Sequence, residues 1–188
     1  FVVTAAVYGA FVKAFVDQMK AIKMGDPPAE GTQLGPVSSK EQFDMLSEQV
    51  AKSVAGGAEL LCGGTPPTGV GQYFPATVLA NCQPGTPAYD DELFGPVASI
   101  IKAKNDEDAM RIANDSRYGL GGGIFTKDEE RAVKLAHDHF DTGMVRINSF
   151  GTADPNMPFG GVKDSGFGRE HGGFGMKEFV NTKAIYLP

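Results

Sequence analysis

Residues 97–148 read VASIIKAKNDEDAMRIANDSRYGLGGGIFTKDEERAVKLAHDHFDTGMVRIN. The run Val97-Ala98-Ser99-Ile100-Ile101 has the length and apolar density of a buried strand. Asp106 then offers a cap to a helix carrying Ala109, Met110, Ile112 and Ala113, which ends near Ser116. Leu120 to Thr126 reads as a glycine-rich strand, Lys127 to about Phe140 as a strongly polar helix, and Met144 to Asn148 as a further strand. Strand, helix, strand, helix, strand with short connections is the signature of parallel βαβ units with right-handed crossovers. The fold class expected from this stretch is therefore α/β: an open, mostly parallel sheet with flanking helices.

Working back toward the start, Tyr8, Phe11, Val12, Phe15, Met19 and Ile22 recur at three- and four-residue spacing, which makes one helix face apolar. Gly25-Asp26-Pro27-Pro28 stops that helix, because proline removes a donor and clashes with the preceding turn. Ser38-x-x-Glu41 offers a capping box to a second helix, with Phe43, Leu46, Val50 and Val54 on its apolar face and Gly56-Gly57 at its end. Leu60-Leu61-Cys62 reads as a short buried strand. Tyr73 to Ala80 is rich in strand formers, with Pro75 pointing to a sheet edge or a strand start.

Beyond residue 148 the pattern changes. Ser149 to Gly175 lacks clear periodicity and holds a large share of the glycines, and a structureless stretch of that length in a compact domain is usually functional. Phe179 to Leu187 alternates weakly and reads as a terminal strand. The chain also opens on the apolar run Phe1-Val2-Val3 with no methionine, as a piece cut from a longer protein would.

Composition narrows the function classes. The 188 residues carry 17 basic and 23 acidic side chains, a net charge of -6, with no cluster of Lys or Arg to attract nucleic acid. No apolar run approaches the ~20 residues of a membrane helix, and no signal peptide opens the chain. Two cysteines, Cys62 and Cys82, cannot build a disulfide scaffold, and their usage fits a reducing, cytoplasmic setting. The 25 glycines are about twice the usual share and mostly clustered, which points to specific turns.

The common catalytic signatures are missing. There is no Walker run, and Gly166-Phe167-Gly168 meets His171 where a dinucleotide fingerprint needs its third glycine. Lys163 stands where a nucleophile elbow around Ser165 requires glycine. His137 and His139 lie two apart on a helix and so face different ways, which makes them a poor metal pair, and no metal site is expected. Cys62 lies in an apolar run and Cys82 has no basic neighbour, so neither has the cation or helix terminus that activates a thiol. These residues alone form no complete catalytic constellation.

Two segments are far more specific. They are Asp91-Glu92-Leu93-Phe94-Gly95-Pro96-Val97 and Pro158-Phe159-Gly160-Gly161-Val162-Lys163-Asp164-Ser165-Gly166-Phe167-Gly168-Arg169-Glu170. Together they resemble the C-terminal catalytic region of the aldehyde dehydrogenase superfamily. Gly25-Asp26-Pro27, Leu34-Gly35-Pro36, Asn114 to Leu120 and Phe125-Thr126-Lys127-Asp128 fit the same family in the same order. The resemblance spans essentially the whole chain and is strongest to the succinate-semialdehyde type.

The resemblance implies an oxidoreductase that uses NAD or NADP. A cysteine thiolate attacks an aldehyde, hydride passes to the cofactor, and a water activated by glutamate hydrolyses the thioester to a carboxylic acid. The nucleophile and the base are expected upstream of Phe1, so the chain alone is expected to be inactive. Glu92 is expected to accept hydrogen bonds from the nicotinamide ribose hydroxyls, and Phe94 to pack beside the nicotinamide ring. Ser149, Gly151, Thr152 and Phe159 are expected to line the aldehyde pocket, with Phe159 as an aromatic wall or a core residue. Arg169 and Glu170 are expected to form a structural ion pair, with contact of Arg169 to a carboxylated substrate as the alternative. Residues 1–175 would be the catalytic-domain portion and 176–188 a tail strand that joins a neighbouring subunit's sheet in a homo-oligomer. The rival reading is a non-enzymatic, truncated relative that serves as an assembly or binding module.

Overall fold

The structure is a computed structural model that describes residues 1–69, 71–151 and 153–188. The chain resolves into two compact units, Phe1–Ala109 and Met110–Pro188.

The first unit is built on β1 (Val2–Thr4), α1 (Ala5–Ala21), α2 (Lys40–Ala55), β2 (Glu59–Cys62), β3 (Thr77–Ala80), α3 (Pro87–Asp90) and β4 (Val97–Ala103). Its four strands run in the order β1-β4-β3-β2, parallel except where β2 pairs antiparallel with β3. All four residues of β3 are buried, as a strand covered on both faces requires. Because side chains alternate along a strand, neighbours go to opposite layers. Val78 joins Val3, Ile100 and Val16 of α1, while Leu79 joins Leu46 and Val50 of α2 together with Phe74, Ala58, Cys82 and Ala88. On the α1 side, Phe1, Phe11 and Phe15 form an aromatic group with centroids 4.8 to 6.1 Å apart.

Two local expectations need correction here, and one open alternative is decided. The cap of α2 is Ser39, whose Oγ accepts from the Gln42 amide at 3.2 Å, one residue later than the Ser38 box. Both serines have an acidic or amide partner three residues on, so the motif alone leaves the register open. β2 is an edge strand rather than a buried one, with Leu60 42% exposed. β3 is central, so Pro75 marks a strand start and not an edge. The proline stands before the ladder, where no N–H is needed.

The α4 helix (Asp106–Asn114) runs across the division between the units. Its first turn is capped by Asn105, whose Oδ1 accepts from the Asp108 amide at 2.9 Å, while Asp108 Oδ2 accepts from the Lys104 amide. After it come β5 (Tyr118–Gly119), β6 (Gly122–Ile124), α5 (Glu129–His139), β7 (Val145–Ile147), β8 (Val162–Lys163) and a 3-10 turn (Gly175–Phe179). β6, α5 and β7 form the expected parallel βαβ unit, and Asp128 caps α5 through a bond from the Arg131 amide. Among the described residues β4 pairs only with β1 and β3, so the first βαβ unit expected over 97–148 forms no ladder within this chain.

The 149–175 stretch is more ordered than its sequence implies. β8 pairs antiparallel with β5, and Phe159 and Glu170 exchange two backbone bonds of 2.8 and 2.6 Å. Residues 180–188 form no strand within the chain, and Ile185, Tyr186 and Leu187 are exposed. A strand is defined by its partner, and the weak alternation of this tail finds none here. Among the described residues no helix is long and apolar enough to cross a membrane.

Leu46 is fully buried at the centre of the α2 layer. Replacing it with alanine is expected to destabilise the chain by about 3 kcal/mol, the usual cost of a cavity of that size. Urea unfolding of Leu46→Ala against the parent chain measures this directly.

Candidate functional site

The acidic-aromatic loop between α3 and β4 is held from behind by α2. Ser53, fully buried on α2, donates to the Gln49 carbonyl at 2.7 Å and accepts from the Ala88 amide at 2.9 Å. It thereby satisfies a free amide in the first turn of α3. The Asp90 carboxylate accepts from the Gly85 amide at 2.8 Å, which closes the turn that leads into the helix. Past Asp91 the chain alternates: Glu92 is exposed, Leu93 packs on the α2 cluster, and Phe94 is exposed again at 63%.

Two contacts fix the loop's position. The Phe94 carbonyl accepts from Gln42 Nε2 at 2.6 Å, which ties the loop to the first turn of α2. Gly95 lies so close to the same helix that a Cβ built on it would fall 2.2 Å from Leu46 Cδ2. A side chain at position 95 would force the buried Leu46 side chain to shift. Neither Gln42 nor this role of Gly95 was read from the sequence. A glutamine three residues after a serine reads as half of a capping box, and only the folded loop shows where its side chain goes.

Glu92 has no hydrogen-bond or ion-pair partner among the described residues. A free carboxylate with two acceptor oxygens suits a vicinal diol, and an exposed ring two residues on suits a planar heterocycle. The residues present therefore fit the nicotinamide end of a dinucleotide.

In the second unit, Ser149 and Gly151 are exposed just after β7, and Thr152 lies outside the described residues. The stretch is anchored by Asn148, whose Oδ1 accepts from the Thr126 amide and whose Nδ2 donates to Glu129. Phe159 is half-buried, bridged to Glu170 along the backbone, with its ring 5.8 Å from that of His171. The expected Arg169–Glu170 pair is not what holds this turn. Arg169 Nη1 donates instead to the carbonyls of Gly161 (2.8 Å) and Gly168 (2.6 Å), because a guanidinium enclosed by a glycine-rich turn meets bare carbonyls first.

Lys163, whose bonding role was not read from the sequence, donates to the carbonyls of Asn114 and Ser116 at 3.0 and 3.1 Å, with Asp141 at 3.6 Å. It satisfies the open C-terminal end of α4, where a cation is favoured.

Neither cysteine is an activated thiol. Burial pushes both the Cys62 and the Cys82 thiol above the ordinary range, and Cys82 is fully enclosed against the Leu79 carbonyl. A raised thiol carries little thiolate near neutral pH, the opposite of what a nucleophile needs.

The sequence profile of the aldehyde dehydrogenase family matches residues 1–185, and the chain belongs to that family. Among curated relatives, the chain is 45% identical over 186 residues to the succinate semialdehyde dehydrogenase [NAD(P)+] Sad of Escherichia coli strain K12. That alignment covers 99% of the chain and 40% of the relative. It is 40% identical over 187 residues to a succinate-semialdehyde dehydrogenase [NADP(+)] of Mycobacterium ulcerans, covering all of the chain and 41% of that protein.

Solved structures agree. The succinic semialdehyde dehydrogenase of Streptococcus pyogenes in complex with NADP+ superposes with a TM-score of 0.94 at 39% identity, covering all of this chain and 41% of that one. A Mycobacterium tuberculosis aldehyde dehydrogenase complexed with NAD+ gives 0.93 at 36% identity, covering 100% and 39%. The chain thus spans about two-fifths of the length of the relatives it matches.

Two outcomes test this geometry. Gly95→Ala is expected to cost about 1–3 kcal/mol by overpacking against Leu46. The same change in a Leu46→Ala background is expected to cost much less, and urea unfolding of the four proteins reads the coupling. For the cysteines, the raised thiols predict slow alkylation of the native chain at pH 8 relative to free cysteine, speeding up as pH rises above the ordinary thiol range. Mass spectrometry of iodoacetamide-treated protein, native and unfolded, checks this.

Proposed function

We propose that this chain is the part of an NAD(P)+-dependent aldehyde dehydrogenase, of the succinate-semialdehyde type, that holds the nicotinamide end of the cofactor and one wall of the aldehyde pocket. The observation that carries the reading is the free, exposed carboxylate of Glu92 beside the exposed ring of Phe94, on a loop fixed by Gln42 and Gly95. Bound there, the cofactor would supply a hydride acceptor.

Each residue then has a defined task. The Glu92 carboxylate accepts from the ribose hydroxyls and fixes the sugar, and with it the direction of the ring. Phe94 packs against the ring and limits its motion, because orientation of the reacting partners is a large share of catalysis. Ser149, Gly151 and Thr152 border the aldehyde, and Phe159 closes the wall with an aromatic face. The cysteine nucleophile, whose acyl thioester is hydrolysed to the acid, and the glutamate base are supplied from outside these 188 residues. The raised thiols of Cys62 and Cys82 support that division. The tail of residues 176–188, with its exposed apolar side chains, pairs with the sheet of a second copy, so the working protein is a homo-oligomer. Its two free cysteines fit a cytoplasmic setting.

The experiment is a kinetic comparison of the source protein and its Glu92→Gln variant, both assayed with succinate semialdehyde and NAD+ or NADP+. Glu92→Gln removes a charged acceptor from the ribose and is expected to lower kcat/KM for the cofactor about 10- to 100-fold, with stability unchanged. An unaltered kcat/KM would remove Glu92 from the site. The 188-residue chain by itself is expected to give no NADH or NADPH above blank, and steady turnover by it would overturn the division of labour.

A further inference from the structure

His171 carries two anomalies that the reading above does not use. Its backbone is left-handed at φ 59°, a region that costs a residue with a side chain about 1 kcal/mol or more and that persists only where the surroundings impose it. Its Nδ1 is buried with no hydrogen-bond partner among the described residues, although buried polar atoms are nearly always satisfied. The imidazole is therefore not held by a bond at Nδ1. Its resolved side-chain contact is with Phe159, whose ring lies 5.8 Å away at 43°.

The backbone around it is arranged to keep that contact. Phe159 and Glu170 exchange both of their ladder bonds, which places His171 one step past the Phe159 register. The Gly172 amide donates to the Pro155 carbonyl at 3.0 Å, tying the far side of His171 to the segment that leads into Phe159. The His171 carbonyl accepts from the amides of Phe174 and Gly175, each at 3.2 Å. Residue 171 is thus pinned on both sides in a conformation that turns its ring toward Phe159.

We propose that His171 is a positioning residue: its ring sets the orientation of Phe159 and so the width of the aldehyde pocket. This rests on the reading of Phe159 as a pocket wall. What matters at position 171 is a flat ring, not a hydrogen bond, so phenylalanine should serve there and a residue without a ring should not. Discrimination among aldehydes of different bulk follows, since the fit of a wall against a small substrate typically changes rates by about one order of magnitude.

The test uses His171→Gly and His171→Phe. Glycine takes φ 59° without strain, so His171→Gly folds while lacking the ring. In the 188-residue chain labelled with fluorinated phenylalanine, the 19F signal of Phe159, assigned with Phe159→Leu, is expected to shift and broaden in His171→Gly and to return in His171→Phe. The melting temperature should not fall. In the source protein, His171→Gly is expected to raise KM for succinate semialdehyde about fivefold to tenfold, leave KM for NAD(P)+ unchanged, alter kcat less than twofold and flatten the preference among aldehydes. His171→Phe should restore the parent values. An unmoved Phe159 signal in His171→Gly overturns the positioning role itself. A moved signal with unmoved aldehyde KM overturns the link to the pocket while the dehydrogenase reading stands. A source protein with no aldehyde oxidation sinks that reading and the pocket role with it, whatever the 19F signal does.

Discussion

The close approach of Gly95 to Leu46 is the constraint on which the candidate cofactor loop depends. Leu46 fills the centre of one core layer and occupies the space that a side chain at position 95 would need. Core and loop are therefore one packing problem. Leu93 adds its side chain to the same layer, Gln42 ties the Phe94 carbonyl to the same helix, and Ser53 satisfies the short helix that precedes Glu92. Glu92 and Phe94 are left exposed on a loop held at its flanks by these contacts. A site for a polar ligand needs free acceptors on a rigid support, and this arrangement provides both.

The second unit relies on polar bonds more than on a deep core. Asn114, at the end of α4, accepts from the Asp141 amide and donates to the His139 carbonyl, closing the end of α5, while its own carbonyl takes a bond from Lys163. Each such bond contributes about 1 kcal/mol net. Their common effect is geometric, since they tie α4, α5 and β8 to one point and bring the strand that follows Phe159 back against β5. Arg169 does the same for the glycine turns by bonding carbonyls that have no ladder partner. A segment rich in glycine cannot hold itself by side-chain packing, so charged side chains bonded to its backbone replace the missing core.

Much of the fold was legible because helix and strand periods are local. The apolar faces of α1 and α2, the strand at Val97, the polar α5 and the strand at Val145 follow from spacing alone. What was misread turned on partners. Leu60 and Leu61 are apolar, yet their strand lies at an edge. Whether a strand is central or edge depends on which other segments pair with it, and periodicity carries no record of that. Ser38 and Ser39 are equivalent as caps until the helix docks. For the candidate site, Glu92 and Phe94 were proposed through a motif. The contacts of Gln42, Lys163 and His171 were not, because the groups they meet lie 52, 49 and 12 residues away in the chain.

By itself, then, the sequence determined the α/β class, the order of most elements and the family, since all three are written in local pattern and in two specific motifs. Only the tertiary structure decided which strand is buried on both faces, which carbonyl Gln42 meets, and why a side chain at residue 95 would crowd Leu46. Those outcomes depend on distances between segments far apart in the chain, and such distances exist only once the layers have packed.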